Sequence, residues 1–188
     1  MTVTTKRNSY RLDRRAGQQG SRAPLRNQGS GHEKFATGSS QVKLLRCKET
    51  KNISTFNVNT LSGGKKKGEL IAMSEMFKVD VTSIQEHRIY HPDEKTQHHD
   101  MGKGWMLITS SAEKADNNAT IRGVGILLSP QAYGTLLNVE SINTRIMVAT
   151  FNGNPKTTFV ACYSPTNVSE EIQAQEFYTQ LQDTIRKI

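Results

Sequence analysis

Long apolar runs are missing from this 188-residue chain. Nowhere do about 18 apolar residues follow one another, as a membrane-spanning helix requires. The opening residues hold no apolar core segment either, so they do not read as a secretory signal. Cysteine is scarce: Cys47 and Cys162 stand far apart, one beside a polar stretch and one inside an apolar run. That usage predicts reduced thiols in an intracellular setting rather than a disulfide framework. The sequons at Asn52, Asn118 and Asn167 then read as chance matches. There is no GxxxxGK[ST], no HExxH and no internal repeat, which sets aside the P-loop, the zincin helix and the solenoid.

Only 35% of the residues are hydrophobic, and the shortage is local. Residues 1–50 carry 11 Lys/Arg against 3 Asp/Glu, which is the whole formal charge of +8; the rest carry 14 of each sign. The first stretch has few large apolar residues and no sustained period, so it cannot offset its ordering entropy by burial. Residues 1–44 are therefore expected to form a disordered basic arm, and 45–188 one folded domain. Arms of this kind touch nucleic-acid phosphates, carry a nuclear address, or simply stay solvated. The expected partner is DNA, bound without sequence preference, with no membrane and no small-molecule cofactor.

Within the folded part, ISTFNVNTL (Ile53–Leu61) and VDVTSIQE (Val79–Glu86) read as two strands joined by a crossover helix. Parallel pairing of the two would bring Asn57 and Glu86 to one sheet edge, where an amide and a carboxylate suit an oxygen-rich divalent-ion site. The turn SGGKKKGE (Ser62–Glu69) is expected to be solvated, and Leu70, Met73 and Phe77, with Ile71 and Met76 beside them, give the helix its core stripe. His87, His91, His98 and His99 fall in a segment read as an exposed loop, because Pro92 and its neighbours argue against a helix. GWMLITSS (Gly104–Ser111) and GVGILLSP (Gly123–Pro130) read as strands, with EKADNNATIRG a polar loop between them. Thr144–Asn152 and Thr157–Tyr163 flank the turn NGNP as a β-hairpin. A last helix follows, capped by Asn167 with Glu170 three residues on, and expected to bury Ala174, Phe177, Leu181, Ile185 and Ile188.

Four motifs occur in a telling order: FNVNTL with Asn57, SIQEHR with Glu86, RGVGILLS, and CYSPTN with Tyr163. From about Leu45 onward the chain resembles the endonuclease/exonuclease/phosphatase superfamily. Within it the likeness is to the endonuclease domain of non-LTR retrotransposons and their craniofacial development protein 2-like relatives. The resemblance implies the N-terminal part of a two-sheet α/β sandwich and Mg2+-dependent cleavage of phosphodiesters, usually in DNA. By the same resemblance Glu86 is the magnesium ligand, Asn57 positions the scissile phosphate and the attacking water, and Tyr163 contacts the phosphate. Arg145 is expected to support the tyrosine or a phosphate. Two departures stand against full activity. Asn59 occupies a place where repair members of the family often carry aspartate. The family also continues into a GDxN segment and a later Asp–His pair, and neither occurs in these 188 residues. The expectation is a nuclease descendant that does not turn over as this chain, or a non-catalytic fragment that binds nucleic acid or protein.

Overall fold

The central strand of the molecule is β7 (Val124–Leu128), VGILL, a continuous apolar run buried on both faces. Its neighbours are β2 (Val81–Gln85) on one side and β4 (Trp105–Ser110) on the other, both antiparallel to it. Outside them lie β1 (Ile53–Asn57), parallel to β2, and β3 (Thr96–Gly102), antiparallel to β4. The five-stranded sheet so formed has the order β1-β2-β7-β4-β3. The computed structural model describes residues 50–61, 63–92, 95–166 and 171–188. The expected basic arm, Cys47 and the capping residues Asn167 and Glu170 lie outside them.

Period-two alternation divides the core into two layers. Val81, Ile108, Val124, Ile126 and Leu128 point to one side, where they meet Met147, Ala149 and Phe151 of a second sheet. Ile84, Leu107, Leu127 and Trp105 point to the other, onto Leu70 and Ile71 of α1 (Gly64–Met76). Each fully buried Leu or Ile contributes about 1.5–3 kcal/mol, so these layers fix how the strand ends are presented.

Helix α1 differs from the expected stripe. It buries Leu70 and Ile71 as expected, together with Ser74, whereas Met73, Met76 and Phe77 are exposed. Helix α1 ends in a Schellman turn: Lys78 adopts φ +51° and Val79 N–H donates to the Ser74 carbonyl at 2.9 Å. The histidine segment is also corrected. His87 and His91 are buried, and His98 and His99 belong to β3, which pairs with β4 residue by residue.

The second sheet has the order β10-β9-β8 and is antiparallel throughout. The expected hairpin is present as β9 (Ile146–Phe151) and β10 (Thr157–Cys162). Strand β8 (Leu136–Asn143), read as no element in the sequence, completes it. Between β4 and β7 the polar loop holds a short ladder of β5 (Glu113–Lys114) and β6 (Thr120–Ile121). Pro130 ends β7 as expected and opens a one-turn helix, α2 (Pro130–Tyr133), capped by the Ser129 hydroxyl. Helix α3 (Glu171–Arg186) buries Phe177 and Thr184, while Ile185 and Ile188 of the expected stripe are exposed. A hollow of about 660 Å³ lies beside it, lined by outward residues of the second sheet such as Asn138, Val148 and Thr158. Asn57, Glu86, Arg145 and Tyr163 do not line it. Among the described residues no helix is long and apolar enough to cross a membrane.

Candidate functional site

Parallel pairing of β1 and β2 sets Asn57 opposite Gln85, and the ladder continues past the strands: Val58 N–H donates to the Gln85 carbonyl at 3.0 Å and Thr60 N–H to that of Glu86 at 2.7 Å. Asn57 and Glu86 therefore leave the sheet at one edge. The Asn57 amide donates from Nδ2 to Glu86 Oε1 at 2.8 Å, and its Oδ1 accepts from Asn59 N–H at 3.1 Å. Asn57 thus engages the carboxylate through its nitrogen and the turn through its oxygen. Asn59 and Thr60 both have positive φ, +43° and +83°, and the Lys66 ammonium donates to both their carbonyls at 3.3 Å. For a β-branched threonine such a φ stores strain, a recurrent feature of functional loops.

Tyr163 reaches the same carboxylate from the other sheet. It follows β10, its N–H donates to the Arg145 carbonyl at 2.9 Å, and its hydroxyl donates to Glu86 Oε1 at 2.7 Å. Arg145, in the turn before β9, lies with its guanidinium 5.4 Å from the Tyr163 ring centre and donates to the Tyr163 carbonyl at 3.2 Å. It thus clamps the tyrosine rather than touching Glu86. Three of the residues expected from the sequence, Asn57, Glu86 and Tyr163, are within direct hydrogen-bond reach of one another through a single oxygen, and the fourth stands behind them.

The electrostatics follow from those bonds. The Asn57 amide first and the Tyr163 hydroxyl second hold the Glu86 carboxyl below its ordinary value; burial opposes them and Arg88 adds to the lowering. Glu86 is thus ionised at neutral pH. The same hydrogen bond, together with burial, raises the Tyr163 phenol, so it stays a donor. Burial and the Arg122 charge lower Arg145, which remains a cation.

Arg88 and Arg122 were not singled out in the sequence, and His87 was expected only as part of an exposed loop. Arg88 donates from Nη2 to Glu86 Oε2 at 3.2 Å. The Glu-x-Arg spacing in QEHR was the available signal for it. His87 is fully buried: its Nδ1 accepts from Ile89 N–H at 2.9 Å, which leaves Nε2 to donate to the Val124 carbonyl at 3.2 Å. Burial pushes its pKa down to about 4. The ring lies so close over Gly123 (φ +92°) that a Cβ there would stand 2.6 Å from Cε1. With both nitrogens engaged and its charged form disfavoured, His87 is a structural pin and cannot serve as a base. Arg122 pairs with Glu113 across the β5–β6 ladder.

No protein-family profile matches the sequence, and no curated protein does so either. Solved structures do. A 3′ phosphatase, NExo, from Neisseria bound to its product DNA hairpin is similar to 73% of this chain over 52% of its own, with 16% identity and a TM-score of 0.54. A 3′-5′ exonuclease from Neisseria meningitidis matches 72% of the chain over 51% of its own, with 17% identity and a TM-score of 0.49. An AP endonuclease from Leishmania major matches 69% over 46%, with 15% identity and a TM-score of 0.49. The chain therefore spans about half the length of the solved structures it matches. At such identities the likeness is one of fold. The fold is an α/β sandwich similar to that of the solved 3′ phosphatase.

Proposed function

We propose that this chain carries the metal-binding and phosphate-binding side of a magnesium-dependent phosphodiester hydrolase, a DNA endonuclease of the non-LTR retrotransposon and craniofacial development protein 2-like type. The observation that supports it is the convergence of Asn57 and Tyr163, from two different sheets, on one oxygen of Glu86. A carboxylate preorganised and ionised in this way, with a side chain 20% exposed, fits a hard cation that keeps most of its waters. Among the described residues no group of three acidic, histidine or cysteine side chains gathers to hold an ion more fully. Bound magnesium would supply charge for the oxygens of the scissile phosphate. Asn57 and Tyr163 orient the carboxylate, and the Tyr163 hydroxyl is the donor placed to pass to a phosphate oxygen. Arg145 keeps that ring in place.

On this reading the described residues supply no base for turnover. In-line hydrolysis needs a base for the attacking water, and among the described residues His87, next to Glu86 in the chain, is closed off by its two hydrogen bonds. His91 is buried too, with Nε2 3.4 Å from the Thr109 hydroxyl. Loss of general-base help costs a factor of roughly a hundred to ten thousand. The second reading is a nucleic-acid-binding or protein-binding fragment, favoured by the concentration of charge in residues 1–50; a nuclear location goes with both. Supercoiled plasmid incubated with Mg2+ decides the catalytic part. The expected result is no nicking above that of Glu86→Ala. Magnesium-dependent nicking that this substitution abolishes would overturn the proposal of inactivity.

A further inference from the structure

The two oxygens of Glu86 are occupied differently. Oε1 accepts from Asn57 and Tyr163, both neutral groups. Oε2 accepts from the Arg88 guanidinium, a full positive charge at 3.2 Å. An exposed ion pair is ordinarily worth little, because two long side chains must be held in one geometry. Here the backbone does the holding. Glu86 and Arg88 both have positive φ, +56° and +55°, on either side of the buried His87. Arg88 N–H donates to the Arg122 carbonyl at 3.2 Å, and Ile89 N–H to the His87 ring. The pinned imidazole thus fixes both flanking residues with their side chains meeting at the carboxylate.

We propose that Arg88 is a built-in cation of the site: its guanidinium occupies the free carboxylate oxygen of Glu86 and competes with the divalent ion for it. The inference rests on the reading of Glu86 as the metal ligand and adds what regulates that ligand. A dication at Glu86 would either displace the guanidinium or sit within a few ångströms of its charge. Both oppose binding, and the repulsion is softened by solvent. Arg88 therefore sets a threshold, so that the site stays self-neutralised until divalent ion is abundant or a phosphate draws the guanidinium away. Arginine suits that exchange because its fork pairs with carboxylate and phosphate alike.

The test is direct Mn2+ binding to the full chain, read from the free-ion electron paramagnetic resonance signal at low ionic strength. The variants are Arg88→Ala, Arg88→Lys and Glu86→Gln, with circular dichroism melts to verify folding. Arg88→Ala should tighten Mn2+ binding on the order of tenfold, a coupling of ordinary size. Arg88→Lys, which keeps the charge, should stay near the parent. Glu86→Gln should remove the site in every background. Unchanged or weaker binding by Arg88→Ala, while Glu86→Gln still removes it, overturns the competition alone. Equal tightening by Arg88→Lys does the same, since charge would then not be the cause. Binding that survives Glu86→Gln overturns the metal-ligand reading and this inference with it.

Discussion

Tyr163 donates its hydroxyl proton to Glu86 across 2.7 Å, although 77 positions separate the two in sequence. Glu86 follows a strand of the five-stranded sheet and Tyr163 a strand of the three-stranded one. Their bond is thus made only when the two sheets pack, and the site reports on the sandwich as a whole.

The carboxylate should reveal which neighbour matters most. Asn57→Ala is expected to raise the Glu86 pKa toward its ordinary 4.5, and to do so by more than Tyr163→Phe. A carbon-detected titration of the Glu86 carboxyl measures both. The reverse order would mean that the phenol, not the amide, is its main support.

Gly123 has no room to change. Gly123→Ala adds a methyl 2.6 Å from the His87 ring on a backbone at φ +92°. Left-handed strain and overpacking together should cost about 2–4 kcal/mol, read from urea denaturation. A loss under half a kilocalorie, on the order of ordinary surface changes, would mean that the ring moves freely and pins nothing.

Acid should weaken the fold through His87. The unfolded imidazole titrates near 6.5 and the folded one near 4, because burial disfavours its charge. This contribution is intact above pH 6.5 and is lost progressively as pH falls toward 4, by up to about 3 kcal/mol. His99, also lowered by burial, adds to the slope. His87→Gln should flatten the dependence of stability on pH across that window without abolishing it. An undiminished slope would place the titration elsewhere.

Much of this architecture is legible in the residues themselves. The β1–α1–β2 crossover and the Asn57–Glu86 edge follow from two apolar runs of strand length with a helix-length segment between them. Strand β8 is not, because its alternation carries Asn138, Glu140 and Ser141 and half of it faces water. His87 is misread for a different reason. A histidine beside a proline-containing turn looks solvated, and its burial depends on a glycine far along the chain that makes space for the ring. The exposure of Phe77 and Ile185 is likewise set by how each helix ends or docks, which its apolar spacing does not encode.

Affinity for DNA should reside in the basic arm, since residues 51–188 carry no net charge. Fluorescence anisotropy with a labelled duplex should show binding that weakens steeply with salt and scarcely varies with sequence. A chain lacking residues 1–40 should lose most of it. Undiminished binding by the shortened chain would move the interface onto the folded part.

The most direct measurement follows Mn2+ into the protein by nuclear magnetic resonance, through paramagnetic broadening of the amide signals. An ion held by Glu86 should erase the signals of Asn57, Glu86 and Tyr163 first, at substoichiometric Mn2+, and Glu86→Gln should restore them. Broadening that spreads evenly over Asp and Glu residues, or that persists around Asn57 and Tyr163 after Glu86→Gln, would contradict the assignment of a metal site to this carboxylate.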